Sequence, residues 1–249
     1  MSGFQIFTPA EIDSVRRAGK VLAACLQHCA SVVKPGMTTR ELDAIAEEFI
    51  LSHDGATPAF KGYRNYPATL CTSVNDECVH GLPGDRVLRE GDIIGIDCGV
   101  KVDGFYTDAC VTVGIGRIAP ETQKFLDVSK AALDKAVSIV RPNLFVGDIS
   151  AAIQEHVEGH GYTCVNGLTG HGLGKTLHQF PDIPNRGEKG SGPRLPAWTV
   201  IAIEPITSMG GPEIKDSTDG WTIATKDGSL SAHFEHTVLV SVNGHEILA

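Results

Sequence analysis

A chain of 249 residues is long enough to bury a substantial core, and a content of 42% hydrophobic and 20% charged residues is that of a soluble globular protein. The formal charge of -9 argues against a general nucleic-acid or anionic-membrane binder, leaving room only for a local basic patch. No apolar run approaches the ~20 residues of a membrane helix, and the start, MSGFQIFTPAEID, lacks the basic region and apolar core of a secretory leader.

Thr8-Pro9-Ala10-Glu11 is a capping box with proline at the first helical position. Ile12, Val15, Ala18, Val21, Leu22, Cys25 and Leu26 then recur at helical spacing and predict a helix to about Val32, ended by Lys34-Pro35-Gly36. Thr38 with Glu41 opens a second helix through Leu42, Ile45, Phe49 and Ile50, stopping near Gly55. A loop rich in aromatic and small residues, FKGYRNYPATL, leads into a short strand from Leu70 to Val74, and Asn75-Asp76-Glu77 turns the chain toward His80.

The next stretch, Gly91 to Gly114, reads as two apolar runs folded back at Asp103-Gly104, a turn pair that tolerates the positive φ a tight hairpin needs. A symmetric turn pairs Val102 with Phe105 and sets Gly99 opposite Asp108. Asp97 then shares that face with Asp108, about 7–8 Å away on the diagonal. Two carboxylates inside a buried sheet need a cation or a shifted pKa, and no Lys or Arg stands on that face of the hairpin, so a metal ion is the natural partner. The hairpin alone fits equally well a half-exposed strand whose carboxylates face water.

Pro120 to Val140 predicts a third helix, with Phe125, Val128, Ala132 and Ala136 buried, and Asp148 caps a fourth from Ile149 to about Glu158. A loop Gly170-His171-Gly172-Leu173-Gly174 follows, then His178. Trp198 to Ile203 is a strand delivering Glu204 ahead of Pro205, and Ser231 to Val240 is another, presenting Glu235 between His233 and His236. The order, two helices and then strands ending in carboxylates, occurs twice and points to a weak internal duplication. With no linker in sight, the expectation is one domain over residues 1–249, α+β in class with a mainly antiparallel sheet. Seven cysteines without a CxxC pair fit small core residues in a reducing, cytoplasmic setting.

Collected, the candidates are Asp97, Asp108, His171, Glu204 and Glu235, with His80 and His178 as companions. Four carboxylates and one imidazole suit two divalent ions better than a closed structural zinc site. Ions about 3.5–4 Å apart would hold a water as nucleophile. Taken singly, each of these residues is more often structural, and spacing alone does not show that they meet. GIGRIAP and HGLGK match neither a dinucleotide nor a phosphate-loop pattern.

The segments TPAEIDSVRRAG, VKPGMTTRELD, SVNDECVHGLP, GDIIGIDCGVKVDGFYTD, GHGLGKTLH, IAIEPI and DGWTIATKDGSLSAHFEHTVLV, in this order and at these separations, resemble the methionine aminopeptidases, in the bacterial type I form of the pita-bread family. The resemblance covers nearly the whole chain. It implies a pseudo-twofold curved antiparallel sheet cupping two divalent metal ions (Co, Mn, Fe or Zn), with helices outside and without the N-terminal zinc-finger extension of other forms. It implies Asp97 as terminal ligand of one ion, Asp108 and Glu235 as bridging carboxylates, and His171 and Glu204 as ligands of the second ion. Glu204 would also carry protons for the water between them. His178 would bind the scissile carbonyl oxygen, and His80 the nitrogen of the scissile bond. Tyr63, Tyr66, Cys71, Leu177 and Trp221 match the slot for the methionine side chain. The implied reaction is hydrolysis of N-terminal methionine from nascent proteins and peptides, by a monomer in the cytoplasm, with the ribosome as an associated partner.

Departures from the family pattern are Leu177 where an aromatic is usual, Gln179-Phe180 where acidic residues are usual, and Cys98 in place of an aliphatic residue. The first two bear on pocket shape and entrance charge; Cys98 should point away from Asp97. Two other readings compete: a pita-bread peptidase cleaving before proline, and a non-catalytic peptide binder that keeps the fold. The first is opposed by Trp221 and Cys71, the second by the complete set of ligand and histidine positions.

Overall fold

The computed structural model describes residues 3–249; Met1 and Ser2, the first residues of the segment expected to carry no leader, lie outside it. Helix α1 (Pro9–Val32) begins at the predicted capping box, with the Glu11 N–H donating to Thr8 Oγ1 at 3.4 Å and the Thr8 N–H to Glu11 Oε2 at 2.8 Å. Helix α2 (Thr39–Leu51) repeats the device with Thr38 and Glu41. Its fully buried stripe is Leu42, Ala46 and Ile50. Ile45 and Phe49 are only half-buried at its edge, where Phe49 stacks on His28 of α1.

Helix α3 (Pro120–Ser138) ends slightly before the predicted Val140. Helix α4 (Val146–Gly159) starts earlier than predicted, so Asp148 is not its cap but a first-turn residue. From there its carboxylate accepts the N–H groups of Phe145 (3.1 Å) and Gly190 (2.9 Å), the acidic half of a capping box without its hydroxyl half.

The first sheet is built on the strand Ile93–Val102. Phe105–Gly114 pairs along one edge, and Leu70–Val74 and Ala56–Pro58 share the other, all antiparallel. The hairpin has the predicted register, Val102 opposite Phe105 and Gly99 opposite Asp108. Its turn residues Asp103 and Gly104 have φ of 51° and 84°. The second sheet runs Gly244–Ile247, His236–Ser241, Thr199–Ile203, Thr169–Gly172, Gln179–Pro184, again antiparallel. Two three-stranded sheets complete the set: Ser231–His233, Ile206–Ser208 and Thr163–Cys164 in one, and Ile214–Asp216, Ile223–Thr225 and Glu77–Val79 in the other.

Each large sheet carries one helix pair. Leu22, Cys25, Leu42 and Ile50 of α1 and α2 pack against Ile94, Ile96, Cys98 and Val100 of the first. Phe125, Leu133, Ile149 and Ile153 of α3 and α4 pack against Ile201, Ile203 and Val238 of the second. The twofold order read from the sequence is therefore an order of packing. Burial of these side chains, each stabilising by about 1.5–3 kcal/mol, leaves the opposite sheet faces free to line a cavity.

Two sequence readings are corrected. The run Ser231 to Val240 is not one strand: Ser231–His233 pairs with Ile206–Ser208, His236–Ser241 pairs with Thr199–Ile203, and the chain is interrupted at Phe234-Glu235. The interruption faces a matching one at Glu204-Pro205, because proline has no N–H to continue a ladder; Pro205 contributes only its carbonyl, to the Phe234 N–H. His171 likewise belongs not to a loop but to the strand Thr169–Gly172, paired with Ala202.

Candidate active site

The strand registers explain why distant carboxylates meet. Cys71 pairs with Asp97, and Asp97 with Cys110. Cys110 in turn bridges Glu235, whose N–H donates to the Cys110 carbonyl at 2.9 Å. Directly paired residues of antiparallel strands present their side chains on one face, so Asp97 and Glu235 look into the same space. Asp108 is anchored from the second sheet: its N–H donates to Thr237 Oγ1 at 2.9 Å, and the Thr237 hydroxyl donates to the Asp108 carbonyl at 2.7 Å. Opposite stand His171 and, at the break after Thr199–Ile203, Glu204, whose carbonyl is held by Asn185 Nδ2 at 2.9 Å.

All five predicted ligand positions, with His80 and His178, line one cavity of about 160 Å³. Ligand atoms of Asp108, His171 and Glu235 lie within 4.8 Å of one another. His171 Nε2 is 3.6 Å from Glu204 Oε1 and 3.8 Å from Asp108 Oδ2. His171 Nδ1 lies 3.0 Å from the Gly172 carbonyl, which only accepts, so Nδ1 carries a proton and Nε2 is the nitrogen that would offer a lone pair to an ion among the carboxylates.

Asp97, Asp108, Glu204 and Glu235 are all buried, and among the described residues no Lys or Arg pairs with any of them. Burial pushes Asp97 and Glu204 up to about 7, and Asp108 and Glu235 well above the usual carboxylate range, the neighbouring carboxylates adding to the effect on Asp108 and Glu235. Asp97 Oδ1, Asp108 Oδ1 and Glu235 Oε1 are buried without any hydrogen-bond partner. Orphaned oxygens on three of four converging carboxylates are what a divalent cation would satisfy, and oxygen donors with one imidazole suit such an ion.

Beside the carboxylates the wall turns apolar. Phe60, Tyr66, Cys71 and Leu177 are buried together with Ala59 and Ala68, and Tyr63 and Trp221 pack on them. Tyr66 meets Trp221 edge to face at 5.0 Å, and its hydroxyl donates to the Leu70 carbonyl at 2.9 Å. Asp219 accepts the N–H groups of Trp221 and Thr222, both at 2.9 Å, and so fixes the loop that carries the indole.

His178 stands at the mouth, with its ring between Tyr63 (centroids 5.4 Å apart) and His171 (4.3 Å). Desolvation by these walls, with the nearby His171 and Arg64, lowers it to about 3, so it is neutral. His80 lies on the rim with φ of 59°, a left-handed conformation uncommon outside glycine. Of the departing residues, Gln179 donates to the Leu173 carbonyl and Phe180 packs on Phe4. Cys98 faces the helix-side core, away from Asp97.

The sequence reading missed His233, Phe60, Arg64 and Val79, which also line the cavity. His233 had a signal: it precedes Glu235 by two residues, and strand alternation sets such a pair on one face.

Residues 13–241 match the family model for metallopeptidase family M24. A methionine aminopeptidase of Clostridium perfringens is 47% identical over 238 residues, covering 96% of this chain and 95% of the relative. The crystal structure of a methionine aminopeptidase from Thermotoga maritima superposes with a TM-score of 0.97 at 40% identity, covering 99% of each chain. A prolidase from Pyrococcus furiosus has a TM-score of 0.78 at 21% identity over 98% of this chain and 64% of its own, a likeness of fold alone. The chain belongs to metallopeptidase family M24 and, within its pita-bread proteins, to the methionine aminopeptidases.

Proposed function

We propose that residues 1–249 act as one catalytic domain that hydrolyses methionine from the N-terminus of nascent proteins and peptides. The observation that carries this reading is the pairing, in one cavity, of buried carboxylates that have no Lys or Arg partner among the described residues with an apolar slot beside them. Asp97, Asp108, His171, Glu204 and Glu235 would hold two divalent ions, of the kind (Co, Mn, Fe or Zn) that oxygen-rich sites accept. When bound, such ions neutralise the carboxylates, polarise the scissile carbonyl and lower the pKa of water.

The remaining work falls to side chains. Glu204, which lines the cavity, takes a proton from the attacking water and passes it to the leaving amine. His178, neutral, donates from Nε2 to the carbonyl oxygen as negative charge develops there. His80 contacts the nitrogen of the scissile bond. Tyr63, Tyr66, Cys71, Leu177 and Trp221 enclose an unbranched thioether, for which aromatic and thiol walls are favourable neighbours. The free α-amine of the substrate would be held at the metal centre, which makes the enzyme an exopeptidase rather than an endopeptidase.

The protein works as a monomer in the cytoplasm, on chains leaving the ribosome. Its seven cysteines are all free and buried, in keeping with a reducing compartment. No helix among the described residues is long and apolar enough to cross a membrane. The test is hydrolysis of Met-Gly-Met-Met by metal-stripped protein with and without Co(II) or Mn(II), beside a panel of Xaa-Pro peptides. Free methionine released only after metal is restored supports the reading. Preference for Xaa-Pro, or no release by folded protein with any divalent metal, overturns it.

A further inference from the structure

His233 is 4% exposed, and its Nε2 is buried without a hydrogen-bond partner. That nitrogen lies 3.5 Å from Glu204 Oε2 and 3.6 Å from Glu235 Oε2. Both distances exceed the roughly 2.7–3.2 Å of an N–H···O hydrogen bond. They fall instead within the separation of neighbouring donors on one ion: bonds of about 2.0–2.2 Å at angles of about 90–120° leave donors about 2.8–3.8 Å apart. His171 stands in the same relation to the other side of the cluster, 3.6 Å from Glu204 Oε1 and 3.8 Å from Asp108 Oδ2. Glu204 thus has one imidazole nitrogen beside each of its two oxygens.

The backbone holds the ring in this position. The His233 N–H donates to Thr112 Oγ1 at 3.0 Å, while the Thr112 hydroxyl donates to the His233 carbonyl at 2.7 Å. This pins the last residue of the strand Ser231–His233 to the hairpin strand Phe105–Gly114, just before the chain breaks at Phe234-Glu235. Two hydrogen bonds therefore fix the backbone from which the ring reaches the carboxylates, and neither engages Nε2.

We infer that His233 is a sixth protein ligand of the metal centre, an imidazole donor on the side of Glu204 and Glu235 away from His171. The inference rests on the proposed metallopeptidase reading. A second nitrogen donor raises the affinity of the site for ions that favour imidazole, such as Co, Zn and Fe, over those that favour oxygen alone.

The test is a titration of metal-stripped protein with Co(II), followed by calorimetry and by the hyperfine-shifted, exchangeable imidazole N–H resonances in proton NMR. Each coordinated histidine with a protonated second nitrogen contributes one such resonance. Two are expected in the wild type, one lost in His233→Gln and the other in His171→Gln, with the Co(II) Kd of His233→Gln raised at least about tenfold. Circular dichroism of the metal-free variants checks their fold, and should a variant fail that check, the wild-type count alone decides. A single resonance in the wild type, or a Kd and spectrum unchanged in His233→Gln, overturns the role of His233 while leaving the metallopeptidase reading intact. Absence of Co(II) binding by the wild type overturns both.

Discussion

The hydroxyl of Tyr63 lies 3.1 Å from Nδ1 of His178, and the two rings stack with centroids 5.4 Å apart. With the hydroxyl as donor, Nδ1 accepts and the proton of the neutral imidazole is on Nε2, the nitrogen proposed to face the substrate carbonyl. Tyr63→Phe keeps the stacking and removes this control of the tautomer. Turnover of Met-Gly-Met-Met should fall roughly 2–10-fold, the worth of one hydrogen bond, with little change in KM. His178→Ala should cost more, because it removes the donor itself. Steady-state kinetics of both variants decide; wild-type turnover in His178→Ala would remove it from the mechanism.

Glu204→Gln tests proton transfer separately from folding. The amide keeps the volume and an oxygen but cannot carry a proton. kcat at saturating metal should drop by about 10²–10⁴-fold, with the circular dichroism spectrum close to that of the wild type. A drop of less than about tenfold would assign the proton transfer to another group.

Metal removal should make stability depend on pH in a particular direction. Asp97 and Glu204 have folded-state values near 7, above the 3.8 and 4.5 of exposed carboxyls. Below about pH 3 both are largely protonated in the folded and unfolded chains alike. As pH rises toward 7 the unfolded chain ionises freely while the folded one must retain its protons or bury charge, so the metal-free protein loses stability across that window. Thermal melts of metal-stripped protein should show Tm higher at pH 5 than at pH 8, and saturating Mn(II) should remove the loss at pH 8. A Tm of the metal-free protein that rises from pH 5 to 8 contradicts this assignment.

Gly99 links the ligand strand to the slot. A Cβ there would lie 2.6 Å from Phe60 Cε1 and 2.8 Å from Ala59 Cβ, and Gly99 is the residue paired with Asp108. Gly99→Ala should destabilise by about 1–3 kcal/mol through overpacking and displace Phe60 into the slot. The expected result is a lower Tm together with a raised KM for methionyl peptides. A changed Tm with unchanged KM would mean that Phe60 yields away from the pocket.

Elements whose signals are local were legible in the amino-acid sequence. The Thr8–Glu11 and Thr38–Glu41 boxes start their helices where hydroxyl and carboxylate satisfy the free N–H groups of the first turn. Asp103-Gly104 defines the hairpin register, and with it the relation of Asp97 to Asp108, because a two-residue turn leaves no slack. The metal-ligand candidates were legible through residue chemistry and family pattern together, not through spacing alone.

What the tertiary structure decided depends on contacts between remote segments. Asp148 is a first-turn residue because the helix begins at Val146, where the Val146 and Gly147 N–H groups donate to the carbonyls of Pro193 and Ser191, far along the chain. The apparently continuous strand from Ser231 to Val240 breaks opposite Pro205, and at that break Glu235 pairs with Cys110, which also pairs with Asp97. His233, which lines the cavity, is held by Thr112 of a strand more than a hundred residues earlier. The sequence by itself determined the starts of the first three helices, the hairpin and the inventory of carboxylates, since these follow from interactions a few residues apart. Which of the carboxylates and imidazoles share one buried space was decided by strand pairing across the two halves, where each side chain's direction depends on the register of a partner that no local pattern specifies.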